Sequence, residues 1–129
     1  MRVEVGYDGI CLTAEVIPMG TDLCVVVTGG DTPHLGCAVL GIPHPGISDP
    51  QARGATASVL NLPAHRDDAL AVPMAKTLSC ALDRPVAVLC GVHFELFSLQ
   101  LARAAQQAAR ILAGEILNRL GESGSSIGE

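Results

Sequence analysis

The sequence predicts an α+β fold, a two-layer sandwich in which two helices pack on one face of a largely antiparallel or mixed sheet. Strand patterns fill most of the first 62 residues, helical patterns come late, and one further strand separates the two predicted helices. The predicted order is β-β-β-β-β-α-β-α. With 129 residues the chain has room for one domain, predicted at residues 1–121, with a flexible C-terminal tail at residues 122–129.

The first three predicted strands come from a hairpin and a buried segment. Apolar and polar residues alternate over residues 3–7 and again over 10–16, and Asp8-Gly9 between them favours a two-residue turn. Residues 22–28 are rich in β-branched side chains and lack polar alternation. This pattern is typical of a strand that is covered on both faces or central in its sheet.

The next strands are bounded by breakers. A strand is predicted at residues 36–42, followed by a loop at residues 43–46 because two prolines and a glycine occur there, and another strand at residues 55–62. A last strand is predicted at residues 86–90, after the first helix, and it ends at the segment 91–93.

Two helices follow from capping residues and apolar spacing. Asp67 or Asp68 is a predicted N-cap for a helix that runs to about Leu82, within which Pro73 either produces a kink or marks the true first turn. Ser98 is predicted to cap a second helix. That helix has one apolar stripe and should end at Gly121. Its alanine-rich face is explained better by core packing than by a dimer interface.

Composition excludes several classes of protein. Eight basic and thirteen acidic residues give a net charge of −5 without a basic cluster, so nucleic acid is not expected as a partner. No apolar run approaches the ~20 residues of a membrane-spanning helix, and the N-terminus lacks a secretory signal, so we expect a cytoplasmic protein. The five cysteines form no C-x-x-C pair and are predicted to be reduced core residues.

The densest polar cluster follows the most buried predicted strand. It comprises Thr28, Gly29, Gly30, Asp31, Thr32 and His34. Consecutive glycines allow positive φ and can expose successive N–H groups to an anion or phosphate. The alternative is a tight turn in which Asp31 and Thr32 bond their own backbone. Neither a Walker motif nor G-x-G-x-x-G is present.

Two further segments could meet this cluster. If the strands that contain Val27 and Val88 are parallel neighbours, Asp31, His34 and His93 emerge at one edge of the sheet. The N-terminus of the first helix would favour a negatively charged ligand near His65 and Arg66. For the carboxylates Asp67 and Asp68 themselves, simple helix capping is the preferred interpretation.

A metal site is a weaker hypothesis. Four histidines occur, at His34, His44, His65 and His93, without H-x-x-x-H, H-x-H or Cys/His spacing. A metal-dependent hydrolase or lyase that uses His34, His65 and His93 would therefore need three separate loops to converge. No G-x-S-x-G motif is present, and no catalytic residue is predicted.

The motifs taken together resemble a known family. They are Gly20-x-Asp22, Val25-Val-Val-Thr-Gly-Gly30, Pro33-His34-x-Gly36, His65-x-Asp67-Asp68, Met74-Ala-Lys76 and Gly91-Val-His93. Over nearly the whole chain this pattern resembles the small D protein associated with gallate decarboxylase, a prenylated-flavin chaperone-like family. The resemblance implies a non-catalytic accessory protein that carries or protects prenylated FMN for a decarboxylase or flavin prenyltransferase partner.

The predicted cofactor is accordingly prenylated FMN or FMN, and a metal is not expected. The glycine-rich turn would take the phosphate, and His34, His65 and His93 would bond ring or phosphate oxygens. The full set of candidate cofactor-binding residues is Thr28, Gly29, Gly30, Asp31, Thr32, His34, His65, Arg66 and His93. A purely structural subunit that binds a larger enzyme through its sheet edge or alanine-rich helix is the remaining alternative, and a homo-oligomer is expected.

Overall fold

A computed structural model of the chain describes residues 1–63, 66–96 and 98–127. Within these ranges, six strands and two helices occur in the predicted order. The strands are β1 (Arg2–Tyr7), β2 (Ile10–Met19), β3 (Asp22–Gly30), β4 (Cys37–Pro45), β5 (Arg53–Asn61) and β6 (Val86–His93). The helices are α1 (Asp68–Leu82) and α2 (Leu99–Ile127). The α+β prediction is confirmed.

The strands form one mixed sheet in the order β1-β2-β3-β6-β4-β5. Strands β3 and β6 are parallel, with Val25 opposite Val88, and the other neighbouring pairs are antiparallel. The β1–β2 turn is the expected one, because Asp8 and Gly9 both adopt positive φ, of 51° and 81°. Insertion of β6 between β3 and β4 brings the ends of β3 and β6 to the same edge of the sheet.

The hydrophobic core lies between the sheet and the helices. Alternate residues of β3 and β6, including Val25, Val27 and Val88, are buried on the helix-facing side. Helix α1 contacts β4, β5 and β6, and α2 contacts β1 and β2. Ala105 and Ala108 of α2 are buried in the same core, which confirms the core-packing interpretation of the alanine-rich face.

Strand β3 is central, yet it is covered on one face. Leu23, Val25 and Val27 are buried, whereas Cys24 and Val26 alternate with them and are half-buried on the opposite face. The reason is that both helices lie on the same side of the sheet. The absence of polar alternation therefore reflects a central position and not two covered faces.

Two predicted boundaries were wrong. Strand β4 continues to Pro45, although a loop was predicted at residues 43–46. Its pairing with β6 ends at Gly41, so Pro43 and Pro45 lie where β4 pairs with β5 alone. Proline has no backbone N–H, and this loss is tolerated where one side of a strand is unpaired. Helix α2 continues past Gly121 to Ile127, and Gly121 does not adopt the positive φ of a C-terminal cap.

The cysteines belong to the core only in part. All five are free thiols, but burial is complete only at Cys37 and Cys90. Cys11 is exposed because its position in β2 points away from the helices, and Cys24 and Cys80 are half-buried. No helix in the described ranges is long and apolar enough to cross a membrane.

Candidate functional site

The ends of β3 and β6 meet as the sequence predicts for parallel neighbours. Gly30 is the register partner of His93, and the backbone N–H of Asp31 donates to the His93 carbonyl oxygen at 2.7 Å. The imidazole rings of His34 and His93 lie 5.1 Å apart between centroids, at an interplanar angle of 41°. Asp31, His34 and His93 therefore share one edge of the sheet.

Asp31 and Thr32 connect the loop after β3 to the segment after β6. A carboxylate oxygen of Asp31 accepts the backbone N–H of Glu95 at 2.9 Å. The Thr32 hydroxyl donates to the carboxylate of Glu95 at 3.1 Å. These side chains bond across to the neighbouring connection and not to their own turn, so they fix the position of the His34 loop relative to His93.

The glycines at this edge allow close packing of the backbone. Gly30 has a φ of +85°, and a Cβ there would overlap the His93 carbonyl oxygen. A Cβ on Gly29 would lie 2.6 Å from the Cδ2 atom of Leu12, and one on Gly91 would overlap the carbonyl oxygen of His34. Glycine at these positions thus has a packing explanation that does not involve a ligand.

Asp67 occupies the predicted N-cap position of α1, but its side chain has a different partner from the expected one. Its side chain makes no capping hydrogen bond to α1. Instead, the buried carboxylate, 7% exposed, accepts the backbone N–H of Val92 at 3.0 Å. A Cβ on Gly36 would overlap this carboxylate. Asp67 therefore joins the start of α1 to the end of β6 and packs against the start of β4.

A cavity of about 720 Å³ lies between the start of α1, the end of β6 and the first turns of α2. Its lining is mostly apolar and includes Arg66 as the one cationic residue, with Gln106 and the buried Asp67 as polar groups. The apolar part comprises Ala69, Leu70, Val92, Phe94, Leu101, Ala102 and Ala105, and His93 completes the lining. A volume in this range is typical of sites for cofactors and other small molecules.

Two buried thiols lie close to this region and remain protonated at neutral pH. Cys37 and Cys90 are register partners in β4 and β6. Burial, reinforced by the negative charge of Asp67, raises the pKa of Cys37 to about 11 and also raises the pKa of Cys90. Because the thiolate is the nucleophilic form, neither side chain has the environment of a reactive cysteine.

The predicted site residues are only partly brought together. Among the described candidate residues, Arg66 and His93 line the cavity, and His34 lies beside His93, whereas the residues 28–32 do not line it. His44, which belongs to no predicted site, lies toward the other end of β4, where its Nδ1 atom is 2.8 Å from the Pro45 carbonyl oxygen. His65 lies outside the described residues. Among the residues that are described, no group of three or more His, Cys, Asp and Glu side chains is placed to hold a metal ion.

Sequence reasoning missed the cavity walls contributed by α2. Leu101, Ala102, Ala105 and Gln106 are ordinary helix residues, and three of them are apolar. The apolar stripe along α2 placed them toward the sheet, but the position of α1 beside them depends on tertiary packing. A stripe alone does not distinguish a filled core from the wall of a cavity.

Comparison with known proteins identifies a family and a likeness of fold to solved structures. The sequence model of a protein family, the prenylated flavin chaperone LpdD-like domain, matches residues 6–121 of this chain. A search of curated proteins found no match. A solved yeast structure, described as a novel chaperone complex for 20S proteasome assembly, contains a chain of 17% identity and TM-score 0.58, and the alignment covers 95% of this chain and 94% of that one. At this identity, the likeness concerns the fold.

Proposed function

Because the chain belongs to the prenylated flavin chaperone LpdD-like family, we propose that it is a non-catalytic accessory protein that binds prenylated FMN and holds it for a decarboxylase partner. The single observation that carries the proposal beyond family membership is the cavity beside the joined ends of β3 and β6. The bound prenylated FMN would take part in catalysis only in the partner enzyme. The residues of this chain would bind it, orient it and exclude water.

The cavity fits a flavin in size and in polarity. Its volume of about 720 Å³ lies within the range of cofactor sites, and most of its wall is aliphatic or aromatic. A planar ring system can bury its faces against Leu70 of α1, Leu101 of α2 and Phe94, which directly follows β6. Gln106 supplies an amide that can donate to and accept from the polar edge of the ring.

The phosphate would bind near Arg66. This residue is exposed at the start of α1, and its guanidinium forms no hydrogen bond or ion pair with any residue that the structure describes. A guanidinium can bind a phosphate through two parallel hydrogen bonds, and the N-terminal end of a 15-residue helix adds positive potential. The nearby Asp67 opposes an anion less than a free carboxylate would, since one of its oxygens accepts the Val92 N–H.

The histidine pair would hold the other polar groups of the ligand. His93 lines the cavity, and His34 lies beside it at a centroid distance of 5.1 Å. Thr28, Gly29, Gly30, Asp31 and Thr32, which the sequence also assigns to the site, would act through the shape and position of the loop. His65 stays in the proposed ligand set on the sequence argument alone.

A thiol-based enzyme is a poor alternative for the same region. The pKa of Cys37 is raised to about 11, so its thiol is almost entirely protonated at neutral pH. A metal-dependent hydrolase would depend on His65 joining His34 and His93. The accessory role needs neither a nucleophile nor a metal.

The test compares two flavins and two arginine variants. FMN and riboflavin differ only by the phosphate. Arg66→Ala should therefore weaken FMN binding about tenfold to a hundredfold and leave riboflavin binding unchanged. The expected loss is that of a hydrogen bond to a charged group, which contributes roughly 1.5–3 kcal/mol. Arg119→Ala is the matched control, because Arg119 lies on α2 and pairs with Glu115. Binding is measured by quenching of flavin fluorescence. Equal losses for both flavins, or none with Arg66→Ala, would contradict the phosphate assignment.

A further inference from the structure

A second, smaller cavity adjoins the proposed flavin cavity and lies in the groove between the two helices. We call it the side cavity, and the larger one the main cavity. The side cavity has a volume of about 200 Å³ and shares Ala69, Leu70 and Gln106 with the main cavity. The lining residues that belong to the side cavity alone are Pro73, Met74, Thr77, Ala109, Arg110 and Ala113.

The two cavities follow one another along both helices. On α1, Arg66 lines only the main cavity, Leu70 lines both, and Thr77 lines only the side cavity. On α2 the lining advances in the same direction, from Leu101 to Ala113. A flavin whose phosphate binds at Arg66 and whose ring lies against Leu70 therefore has the side cavity at the end of the ring away from the phosphate.

The side cavity is lined mainly by hydrocarbon. Met74 and Ala109 are 2% and 4% exposed and form its floor, and Pro73 is exposed along the α1 wall. The guanidinium of Arg110 donates from Nε to the amide oxygen of Gln107 at 3.1 Å. An apolar group gains free energy by leaving water for such a lining, whereas a phosphate or a polar ring edge would lose its hydrogen bonds with water there.

Pro73 also changes the boundary between the two cavities. It lies inside α1 and has no N–H, so the Ala69 carbonyl oxygen loses the donor that an α-helix normally supplies four residues later. Ala69 lines both cavities, and its carbonyl oxygen can accept a hydrogen bond from an N–H group of a flavin ring. This arrangement suits a ligand with a polar ring on one side of the boundary and a hydrocarbon on the other.

The volume of the side cavity restricts what can fill it. One water molecule takes up about 30 Å³ of the liquid, and a methyl group is of similar size, so the cavity holds roughly six such groups. A partner protein would need a far larger surface, of about 800 Å² on each side. A short branched hydrocarbon of the size of an isoprene unit fits.

We infer that the side cavity holds the prenyl-derived hydrocarbon of prenylated FMN and makes this protein selective for the prenylated over the unmodified flavin. The inference rests on the proposed function, because it assigns a second part of the same ligand. FMN has the same phosphate and lacks only the added hydrocarbon, so it would leave the side cavity empty. One methylene group in an apolar pocket already discriminates between ligands by about 10- to 200-fold, so a preference of at least about tenfold is expected.

The first experiment compares the dissociation constants of prenylated FMN and FMN, both in the reduced state, by anaerobic titration calorimetry. The wild type should bind prenylated FMN at least about tenfold more tightly than FMN. Ala109→Leu fills the side cavity from its floor, so it should reduce this preference about tenfold and leave the affinity for FMN within about twofold.

A second variant and a matched control accompany Ala109→Leu. Thr77→Leu narrows the side cavity from an exposed position, so it should fold even if the buried change does not, and it should reduce the preference at least about threefold. Ala81→Leu is the control, because Ala81 is exposed one turn further along α1 and lines neither cavity. It should leave both affinities unchanged. Circular dichroism melts show whether each variant is folded.

Methionine methyl NMR locates the hydrocarbon without any substitution. The chain has three methionines, of which Met74 lies on the floor of the side cavity and Met19 is 64% exposed at the end of β2. Prenylated FMN should shift the Met74 methyl resonance clearly more than FMN does, and neither flavin should shift that of Met19.

The outcomes separate this inference from the proposed function. Equal affinity of the wild type for the two flavins, equal losses for both flavins in the folded variants, a preference that persists in those variants, or equal shifts of Met74 would overturn the inference and leave flavin binding in the main cavity intact. A wild-type protein that binds neither flavin would overturn the proposed function and this inference with it.

Discussion

The contact between Asp67 and Gly36 provides a quantitative test of how the site is assembled. The perturbation is a double-mutant cycle of Asp67→Ala, Gly36→Ala and the two changes combined. Asp67 accepts the buried N–H of Val92 at 3.0 Å, and its carboxylate occupies the space that a Cβ on Gly36 would need. The two changes should therefore be strongly coupled in the free energy of unfolding.

The expected magnitudes follow from these contacts. Asp67→Ala leaves a buried N–H without its acceptor, which costs about 1–3 kcal/mol. Gly36→Ala in the wild-type background forces a methyl group onto the carboxylate, an overpacking cost of about 1–3 kcal/mol. Once Asp67 is alanine, the nearest remaining atom of that residue is its Cβ, 3.2 Å from the new methyl carbon. The cost of Gly36→Ala should then fall by about 1 kcal/mol or more.

The assay is urea denaturation followed by far-UV circular dichroism, since the chain has no tryptophan. Gly6→Ala is the matched control for Gly36→Ala, because a Cβ on Gly6 meets only a carbonyl oxygen at 3.9 Å. It should cost little and should not couple to Asp67→Ala. If the costs of Asp67→Ala and Gly36→Ala add to within ~0.5 kcal/mol, the two residues do not share the space that the reasoning assigns to them.

Three further predictions concern the core, its titration and the ligand. Val25→Asp should abolish cooperative unfolding, because it buries a carboxylate at a cost of several kcal/mol. Val26→Asp should leave the protein folded, because Val26 lies on the opposite, half-buried face of β3. Equal solubility and equal urea midpoints for the two variants would contradict the assigned faces. The free energy of unfolding should fall between pH 9 and about 11, because the unfolded chain releases the Cys37 proton near its ordinary pKa of 9.0 and the folded chain retains it up to about 11. Urea denaturation measured across this pH range should show a weaker decline for Cys37→Ala than for the wild type. An identical decline would count against the raised pKa of Cys37. His34→Ala should lower FMN affinity about tenfold without changing the melting temperature, because this side chain is exposed; unchanged affinity in a fluorescence titration would remove His34 from the site.

Local sequence patterns predicted most of the fold. The Asp8-Gly9 turn, the start of α1 at Asp68 and the Ser98 cap are set by residues close in the chain, and the Ser98 hydroxyl accepts the Leu101 N–H at 3.0 Å as expected. The extension of β4 through its prolines was not predictable from the chain. Tolerance of proline there depends on which strand lies alongside, and that is a property of the assembled sheet.

The candidate site was predictable at its edge and not in its interior. Parallel pairing of β3 and β6 brings Asp31, His34 and His93 together, as the sequence predicted on the condition that these two strands are parallel neighbours. The role of Asp67 could not be inferred, because its hydrogen bond to Val92 joins residues 25 positions apart. Helix N-termini commonly carry aspartate as a cap, so the local pattern pointed to the wrong partner.

The most direct test of the account is whether the purified chain retains prenylated FMN. The protein is incubated with prenylated FMN and then separated from free flavin by gel filtration, and the absorbance spectrum and protein content of the eluted peak give the stoichiometry; elemental analysis of the same peak reports any bound metal. We predict one flavin for each chain and no stoichiometric metal. The proposed function would be contradicted if the protein elutes without flavin after incubation with prenylated FMN and with FMN, each in its oxidised and its reduced form. Stoichiometric zinc or iron in the protein peak would favour the metal-dependent alternative.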